Sequence, residues 1–166
     1  PTIIAENGVA KLVKVNMGKP TFSAKDIPMD IESDKVIDYT IDVDGTSYVV
    51  SSVLLGVPHT EVFVEDVTAV PLTVFPKGTN VNFIQVVDEK TVKVRTWERG
   101  AGATLACGTG SCSSAVMAHE KGLTSRSVDV ELYLGVLHVD YDEDGTVYMT
   151  GPATEVFSLE LEDVTC

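Results

Sequence analysis

The sequence predicts an α+β protein in which a curled sheet wraps around one buried helix. Short segments of alternating apolar residues, separated by turn signals, recur along most of the 166-residue chain. The helical segment, residues 111–121, is small and nearly uncharged on every side until His119. A surface helix would carry a polar face, so this helix is expected to have strands on several sides.

Composition and charge narrow the class of protein. With 44% hydrophobic and 22% charged residues, the chain suits one globular domain. Its formal charge of −13 disfavours nucleic acid and anionic membranes, because both require basic patches. No apolar run approaches the roughly 20 residues of a membrane span, and the first residues lack the features of a signal peptide. Three cysteines without scaffold spacing favour a reducing, cytoplasmic location.

Strands are predicted where apolar alternation is bounded by glycine, proline or acidic turns. Asp44 and Gly45 form a hairpin signal between the predicted strands at 36–43 and 46–55. Residues 88–90 form another turn, and Pro71 and Pro76 interrupt the stretch that follows the strand at 61–64. The predicted strands are residues 10–17, 36–43, 46–55, 61–64, 81–87, 91–97, 127–133, 136–141, 146–149 and 154–161. The helix is expected to end at Gly122, a residue type that favours the C-terminal cap.

Glycines surround one cysteine, Cys107, just before the predicted helix. The first amides of a helix have no internal partner and carry partial positive charge. Gly108 and Gly110 let this backbone approach a ligand, and Thr109 adds a hydroxyl. The pattern predicts a cradle for a carboxylate or phosphate beside a thiol whose thiolate form is stabilised. The alternative is that Cys107 is a small packing residue before a glycine turn.

Residues 97–102 and 104–110 resemble the second cysteine motif of the diaminopimelate epimerase family, amino-acid racemases that work without pyridoxal phosphate. Other segments resemble the same family in the same order and extend the resemblance over nearly the whole chain. The block around Cys107 is specific, whereas the closing Thr-Gly-Pro-Ala would be weak on its own. The further matching segments are residues 15–18 (Val-Asn-Met-Gly), 56–59 (Gly-Val-Pro-His), 79–83 (Thr-Asn-Val-Asn-Phe) and 149–153 (Met-Thr-Gly-Pro-Ala).

The resemblance implies two pseudo-symmetric halves, each an antiparallel β-barrel around a central buried helix, with the active site between them. The Cys-Gly-Asn-Gly motif of the family's first half occurs nowhere in the sequence. We therefore expect a C-terminal portion of an epimerase. Residues 1–20 would be the last strands of the otherwise missing N-terminal domain, residues 21–150 the C-terminal epimerase domain, and residues 151–166 a closing segment returning toward the N-terminal domain.

The resemblance also implies conversion of LL-diaminopimelate to meso-diaminopimelate by two cysteines acting as acid and base, without a cofactor. Of the two catalytic cysteines, this chain would carry only the second, Cys107. His59 and Glu98 would set the protonation of the thiols. The expected partners are the amino-acid substrate, the missing N-terminal half and, as an open alternative, a second copy in a homodimer. No spacing of histidine, cysteine and carboxylate suggests zinc. The residues matching substrate-binding positions are Asn80, Glu98, Arg99, Gly108 and Thr109.

Val57 is the main departure from the family, which has an asparagine there that helps to hold the distal end of diaminopimelate. A related racemase acting on another amino acid, such as histidine, is therefore an alternative. Two other classes of function also stay open. Cys107 and His59 could be the nucleophile and base of an acyl-transfer enzyme, or the chain could be a non-catalytic β-barrel module.

Each candidate residue also has a purely structural interpretation. His59 follows a proline and could lie in a surface turn. Glu98 and Arg99 could form a surface ion pair of little energetic worth, and Asn80 could begin a strand as a turn residue. Cys112, inside the predicted helix, is expected to be buried packing.

Overall fold

The computed structural model describes residues 1–27, 29, 31, 33–43, 45–68, 79–158 and 160. These residues form eleven strands and one helix, α1, at Gly108–Glu120. The strands are β1 Thr2–Glu6, β2 Val9–Gly18, β3 Val36–Val43, β4 Thr46–Leu55, β5 Val57–Phe63, β6 Asn80–Asp88, β7 Thr91–Glu98, β8 Gly102–Thr104, β9 Ser127–Glu131, β10 Val136–Tyr141 and β11 Val147–Pro152.

One sheet contains all of these strands, in the order β1-β2-β11-β10-β9-β7-β6-β5-β4-β3, with β8 paired to β7 beside this path. Most neighbours are antiparallel, but β5 pairs with β6 and β7 pairs with β9 in parallel. Parallel pairing follows where a long connection carries the chain back before the next strand, as α1 does between β7 and β9. The sheet is thus mixed rather than wholly antiparallel, and its described strands do not close into a barrel.

Helix α1 packs against seven strands, β4 to β7 and β9 to β11. Every residue from Gly110 to Ala118 is buried, and the small side chains allow the strands to approach closely. Cys112 and Val116 belong to the main apolar core, where they meet side chains such as Ile84 and Val130. In the described part of the chain, no helix is long and apolar enough to cross a membrane.

The helix begins at Gly108, three residues before the predicted start, because Cys107 caps it with an extended backbone (φ −137°, ψ 112°). At the other end the helix stops at Glu120. Gly122 has a φ of +71°, which suits glycine, and two backbone hydrogen bonds close the last turn in a Schellman arrangement. Gly122 therefore ends the helix as the sequence predicts.

Several predicted strand boundaries differ from the structure. Strands β1 and β8 have no predicted counterpart, and β5 begins at Val57 instead of residue 61. Residues 154–158 form no strand, although a strand was predicted there, because a strand requires a neighbour for its backbone hydrogen bonds. Val156 and Phe157 are exposed instead. The predictions at Asp44, Pro71, Pro76, Leu159 and residues 161–166 lie outside the described residues.

Candidate active site

Cys107 lies at the N-terminus of α1 with its sulfur turned toward the helix. Its Sγ accepts a hydrogen bond from the backbone N–H of Gly110 at 3.4 Å, and its carbonyl accepts from Ser111. In the described residues, the N–H groups of Gly108 and Thr109 have no backbone or side-chain acceptor. These amides and the positive end of the helix dipole can hold an anion beside the thiol.

His59 connects to Cys107 through the hydroxyl of Thr109. The ring Nε2 of His59 lies 3.0 Å from Thr109 Oγ1, and the same oxygen lies 3.5 Å from Cys107 Sγ. His59 is fully buried on β5, so the surface-turn interpretation is wrong. Burial lowers the pKa of His59 from 6.5 to about 4, because desolvation penalises the charged ring. The neutral imidazole is therefore the form present near neutral pH.

The network continues inward from His59 through Asn82. The Asn82 Nδ2 atom lies 3.1 Å from Nδ1 of His59 and 2.9 Å from Oε1 of Glu61. The Asn82 Oδ1 atom accepts from the hydroxyl of Thr96 at 2.8 Å. Gly110 packs directly on this amide, since an added Cβ there would lie 2.6 Å from Asn82 Oδ1. The contact requires glycine at residue 110 for reasons of space.

Glu61 is the innermost member of the network. Its side chain is fully buried, and its Oε2 atom accepts from the hydroxyl of Ser114 on α1 at 3.0 Å. Burial raises the pKa of Glu61 from 4.5 to about 8, although hydrogen bonds from Asn82 and Ser114 oppose this shift. Sequence reasoning missed this carboxyl as a site residue. The available signal was its position two residues after His59, because residues 59 and 61 of a strand face the same side.

Asn80 and Arg99 meet at a second location, the beginning of β6. The Asn80 side chain donates to the carbonyl of Pro58 at 3.0 Å and accepts from the backbone N–H of Arg99 at 3.0 Å. Both residues line a cavity of about 260 Å³. The residues around this cavity are Ile27, Met29, Pro58, Thr60, Thr79, Asn80 and Arg99. Cys107 and Thr109 are not among them, so the structure separates the predicted site residues into two groups.

The remaining residues of the predicted site lie at its edge. Glu98 ends β7 and is partly buried. Among the described residues, its carboxylate forms no ion pair with Arg99, so the alternative interpretation of these residues as a surface ion pair is wrong. Val57 faces the same side of β5 as His59 but is 42% exposed.

Known proteins match this chain over most of its length. The sequence profile of the family described as diaminopimelate epimerase matches residues 51–156, which include both groups of site residues. The chain belongs to the diaminopimelate epimerase family. The diaminopimelate epimerase of Caldanaerobacter subterraneus subsp. tengcongensis is 45% identical over 172 aligned positions, covering 98% of this chain and 63% of the relative. The diaminopimelate epimerase of Pelotomaculum thermopropionicum is 41% identical, covering 96% and 61%.

The chain thus spans about three-fifths of the length of these curated relatives. A solved structure supports the fold assignment independently. The probable proline racemase of Agrobacterium radiobacter K84 matches with a TM-score of 0.69 over 98% of this chain and 56% of that chain, at 13% sequence identity. At this identity the likeness concerns the fold alone. The chain therefore shares its fold, a mostly β, mixed sheet with one helix packed against it, with the matched part of that protein.

Proposed function

We propose that this chain supplies one acid–base thiol and part of the substrate site of an enzyme that epimerises diaminopimelate at its α-carbon. The observation that carries the proposal is the position of Cys107 as the cap of α1, beside two amides that have no acceptor among the described residues. The names of the curated relatives support the same activity. A thiol next to a carboxylate cradle suits proton transfer at the carbon attached to that carboxylate.

In the proposed reaction the Cys107 thiolate removes the α-proton, and the electron pair of the broken C–H bond moves into the substrate carboxylate. The amides of Gly108 and Thr109 stabilise the charge that develops on its oxygens, and the helix dipole adds to this effect. A second acid then protonates the α-carbon from the opposite face. The first thiolate has gained a proton and the second acid has lost one, so the configuration is inverted with no cofactor.

His59 and Thr109 have a supporting role in this proposal. Because His59 is neutral near pH 7, it can donate from Nε2 to the Thr109 oxygen, and Thr109 can donate its own hydrogen to the Cys107 sulfur. A hydroxyl donor aimed at the sulfur favours the thiolate, the reactive form. The intervening threonine disfavours the acyl-transfer alternative, which places the histidine next to the nucleophile.

The cavity beside Asn80 and Arg99 is proposed to hold the distal end of the substrate. Diaminopimelate carries a second amino-acid group, and a guanidinium can bind its carboxylate with two parallel hydrogen bonds. Glu98, at the end of β7, is proposed to hold the amino group or to set the protonation of the thiols. The side chain of Val57 cannot form a hydrogen bond with the substrate, so a different amino acid, such as histidine, is the second candidate substrate.

The second acid–base group is proposed to be a cysteine beyond these 166 residues. Cys112 is fully buried, and burial raises its pKa to about 12. It is therefore a poor group for proton transfer near pH 7. The exposed apolar side chains of β1 and β2, including Ile3 and Leu12, fit the proposed division. In that division residues 1–20 belong with an N-terminal domain, residues 21–150 form the C-terminal domain and residues 151–166 return toward the N-terminal one.

Solvent deuterium exchange tests this function. The chain is incubated in D₂O with LL-diaminopimelate, meso-diaminopimelate or L-histidine, alone and together with the N-terminal half of a curated relative. The proposal is supported if deuterium enters the α-carbon of diaminopimelate only when both parts are present. Exchange confined to histidine assigns the other substrate. Enzyme-like turnover of about 1 s⁻¹ by the chain alone would contradict the need for a second cysteine, and no exchange under any condition contradicts the activity.

A further inference from the structure

A carboxyl group lies in the core of the protein without a role in the proposed proton transfers. Glu61 is fully buried, and burying a carboxyl is costly unless hydrogen bonds compensate. In the described residues, no lysine or arginine forms an ion pair with it. Its contacts are instead Asn82 on β6 and Ser114 on α1, so it joins three elements around the helix N-terminus.

The contact with Asn82 determines which way that amide points. The two hydrogens of Nδ2 face Glu61 Oε1 and His59 Nδ1, while Oδ1 accepts from Thr96. An amide turned by 180° would place its oxygen against the Glu61 and His59 acceptors and its nitrogen against Thr96. With the carboxyl oxygen as acceptor, the amide nitrogen stays on the side of the histidine.

The orientation of Asn82 in turn determines the tautomer of His59. Because Nδ1 accepts from the amide, the ring proton of the neutral histidine resides on Nε2. That N–H donates to Thr109 Oγ1 at 3.0 Å. The hydroxyl hydrogen of Thr109 is then free to point at Cys107 Sγ, 3.5 Å away.

We propose that Glu61 is a positioning residue for the thiol: through Asn82, His59 and Thr109 it directs a hydroxyl hydrogen at the sulfur of Cys107. This inference rests on the proposed function, in which Cys107 is an acid–base group, and it adds a residue to that function. The carboxyl acts at a distance and touches neither the sulfur nor the anion cradle. Its contribution is the direction of four successive hydrogen bonds.

The packing around the network allows few other arrangements. The Asn82 oxygen lies so close to Gly110 that an added Cβ would be 2.6 Å from it. The helix N-terminus therefore packs directly on the oriented amide. Ser114 holds the second carboxyl oxygen from one turn further along α1. Among the described residues, the titratable groups that belong to this network beside Glu61 are His59 on the same strand and, through Thr109, Cys107 before the helix. Burial keeps Glu61 mainly protonated near pH 7, so an uncharged amide is a close substitute.

Three variants of this chain test the proposal through the rate at which iodoacetamide alkylates Cys107 as a function of pH. Glu61→Leu removes the acceptor for Asn82, and we expect the midpoint of the rate profile to rise by about one unit, a loss of about tenfold at pH 7. Glu61→Gln keeps an acceptor oxygen and should stay within about twofold of the parent. Val130→Ala, a buried core change away from the network, controls for destabilisation alone and should leave the midpoint unchanged.

A measurement on the unmodified chain keeps the proposal testable if Glu61→Leu does not fold. Nitrogen NMR of the His59 ring should show a proton on Nε2 and none on Nδ1. A proton on Nδ1, or a Glu61→Leu profile that matches the parent in the folded protein, overturns the proposal. Neither readout involves epimerase turnover. Loss of deuterium exchange with an intact thiol response would thus count against the proposed function and leave the positioning role in place.

Discussion

The Nε2 atom of His59 lies 3.0 Å from Oγ1 of Thr109. The histidine therefore contacts the helix N-terminus through a hydroxyl and does not touch the thiol directly. The same oxygen lies 3.5 Å from Cys107 Sγ, so Thr109 joins a buried, neutral ring to the cysteine at the cradle. This relationship leads to predictions for the reactivity of the thiol and for the stability of the chain.

Replacing Thr109 by valine should slow alkylation of Cys107 at neutral pH by about three- to tenfold. Valine retains the shape of threonine but removes the hydroxyl, and a hydrogen bond to a charged group is typically worth about 1.5–3 kcal/mol, less where solvent reaches the site. Thr109→Ser keeps the hydroxyl and serves as the control. Rates are measured with iodoacetamide under pseudo-first-order conditions. Equal rates for the valine and serine variants would show that the hydroxyl does not act on the sulfur.

Cys107 should react with alkylating agents much faster than Cys112 in the folded chain. Cys112 is fully buried and burial raises its pKa to about 12, so little thiolate exists and reagents cannot reach it. The measurement is peptide mapping by mass spectrometry after timed alkylation, in a Cys166→Ser background. Cys107→Ser should remove the fast reaction and Cys112→Ser should not. Faster labelling of Cys112 would mean that the helix is not packed as described.

Gly110→Ala should lower the free energy of unfolding by about 1–3 kcal/mol through overpacking. The added Cβ would lie 2.6 Å from Oδ1 of Asn82, and that oxygen is held by Thr96, so the amide cannot move without breaking a buried hydrogen bond. Gly135→Ala is the matched control, because nothing lies within 4 Å of its added Cβ. Urea unfolding of both variants provides the comparison. An equal loss at both positions would argue against tight packing at the helix N-terminus.

The stability of the chain should fall as the pH rises from about 6.5 to 8. In this window folded Glu61 still holds the proton that the unfolded chain releases near its ordinary pKa of 4.5, since burial raises the folded pKa to about 8. The contribution to the free energy of unfolding is then up to about 1.4 kcal/mol per pH unit. His59 has the opposite sign: its pKa falls from 6.5 to about 4, so its contribution to stability is lost as the pH falls below 6.5.

Between about pH 4.5 and 6.5 the two contributions oppose each other and the profile should be nearly flat. Urea unfolding of the parent chain and of Glu61→Gln across this range isolates the carboxyl, because the glutamine does not titrate. The variant should lose the decline above pH 6.5, and its stability should fall as the pH drops from 6.5 to about 4, because the contribution of His59 is then no longer opposed. A parallel profile for both proteins would mean that Glu61 ionises normally in the folded chain.

The sequence by itself predicts the cradle, because its signals are local. Cys107, its flanking glycines and the helix that follows are a few residues apart, so helix capping and backbone freedom determine their arrangement. The burial of Cys112 follows from the same uncharged helix. The strands at 36–43, 46–55, 81–87 and 91–97 are also close to those observed, since hairpins join residues near one another in sequence.

The tertiary structure alone determines what surrounds that cradle. Parallel pairing of β5 with β6 places Glu61 opposite Asn82, and packing of α1 brings His59 to Thr109. These contacts join segments far apart in the chain, and a strand's register depends on its neighbours rather than on its own residues. For the same reason the sequence did not reveal that the sheet is mixed and open or that residues 154–158 lack a strand. A buried carboxyl is recognisable only once its hydrogen-bond partners are known.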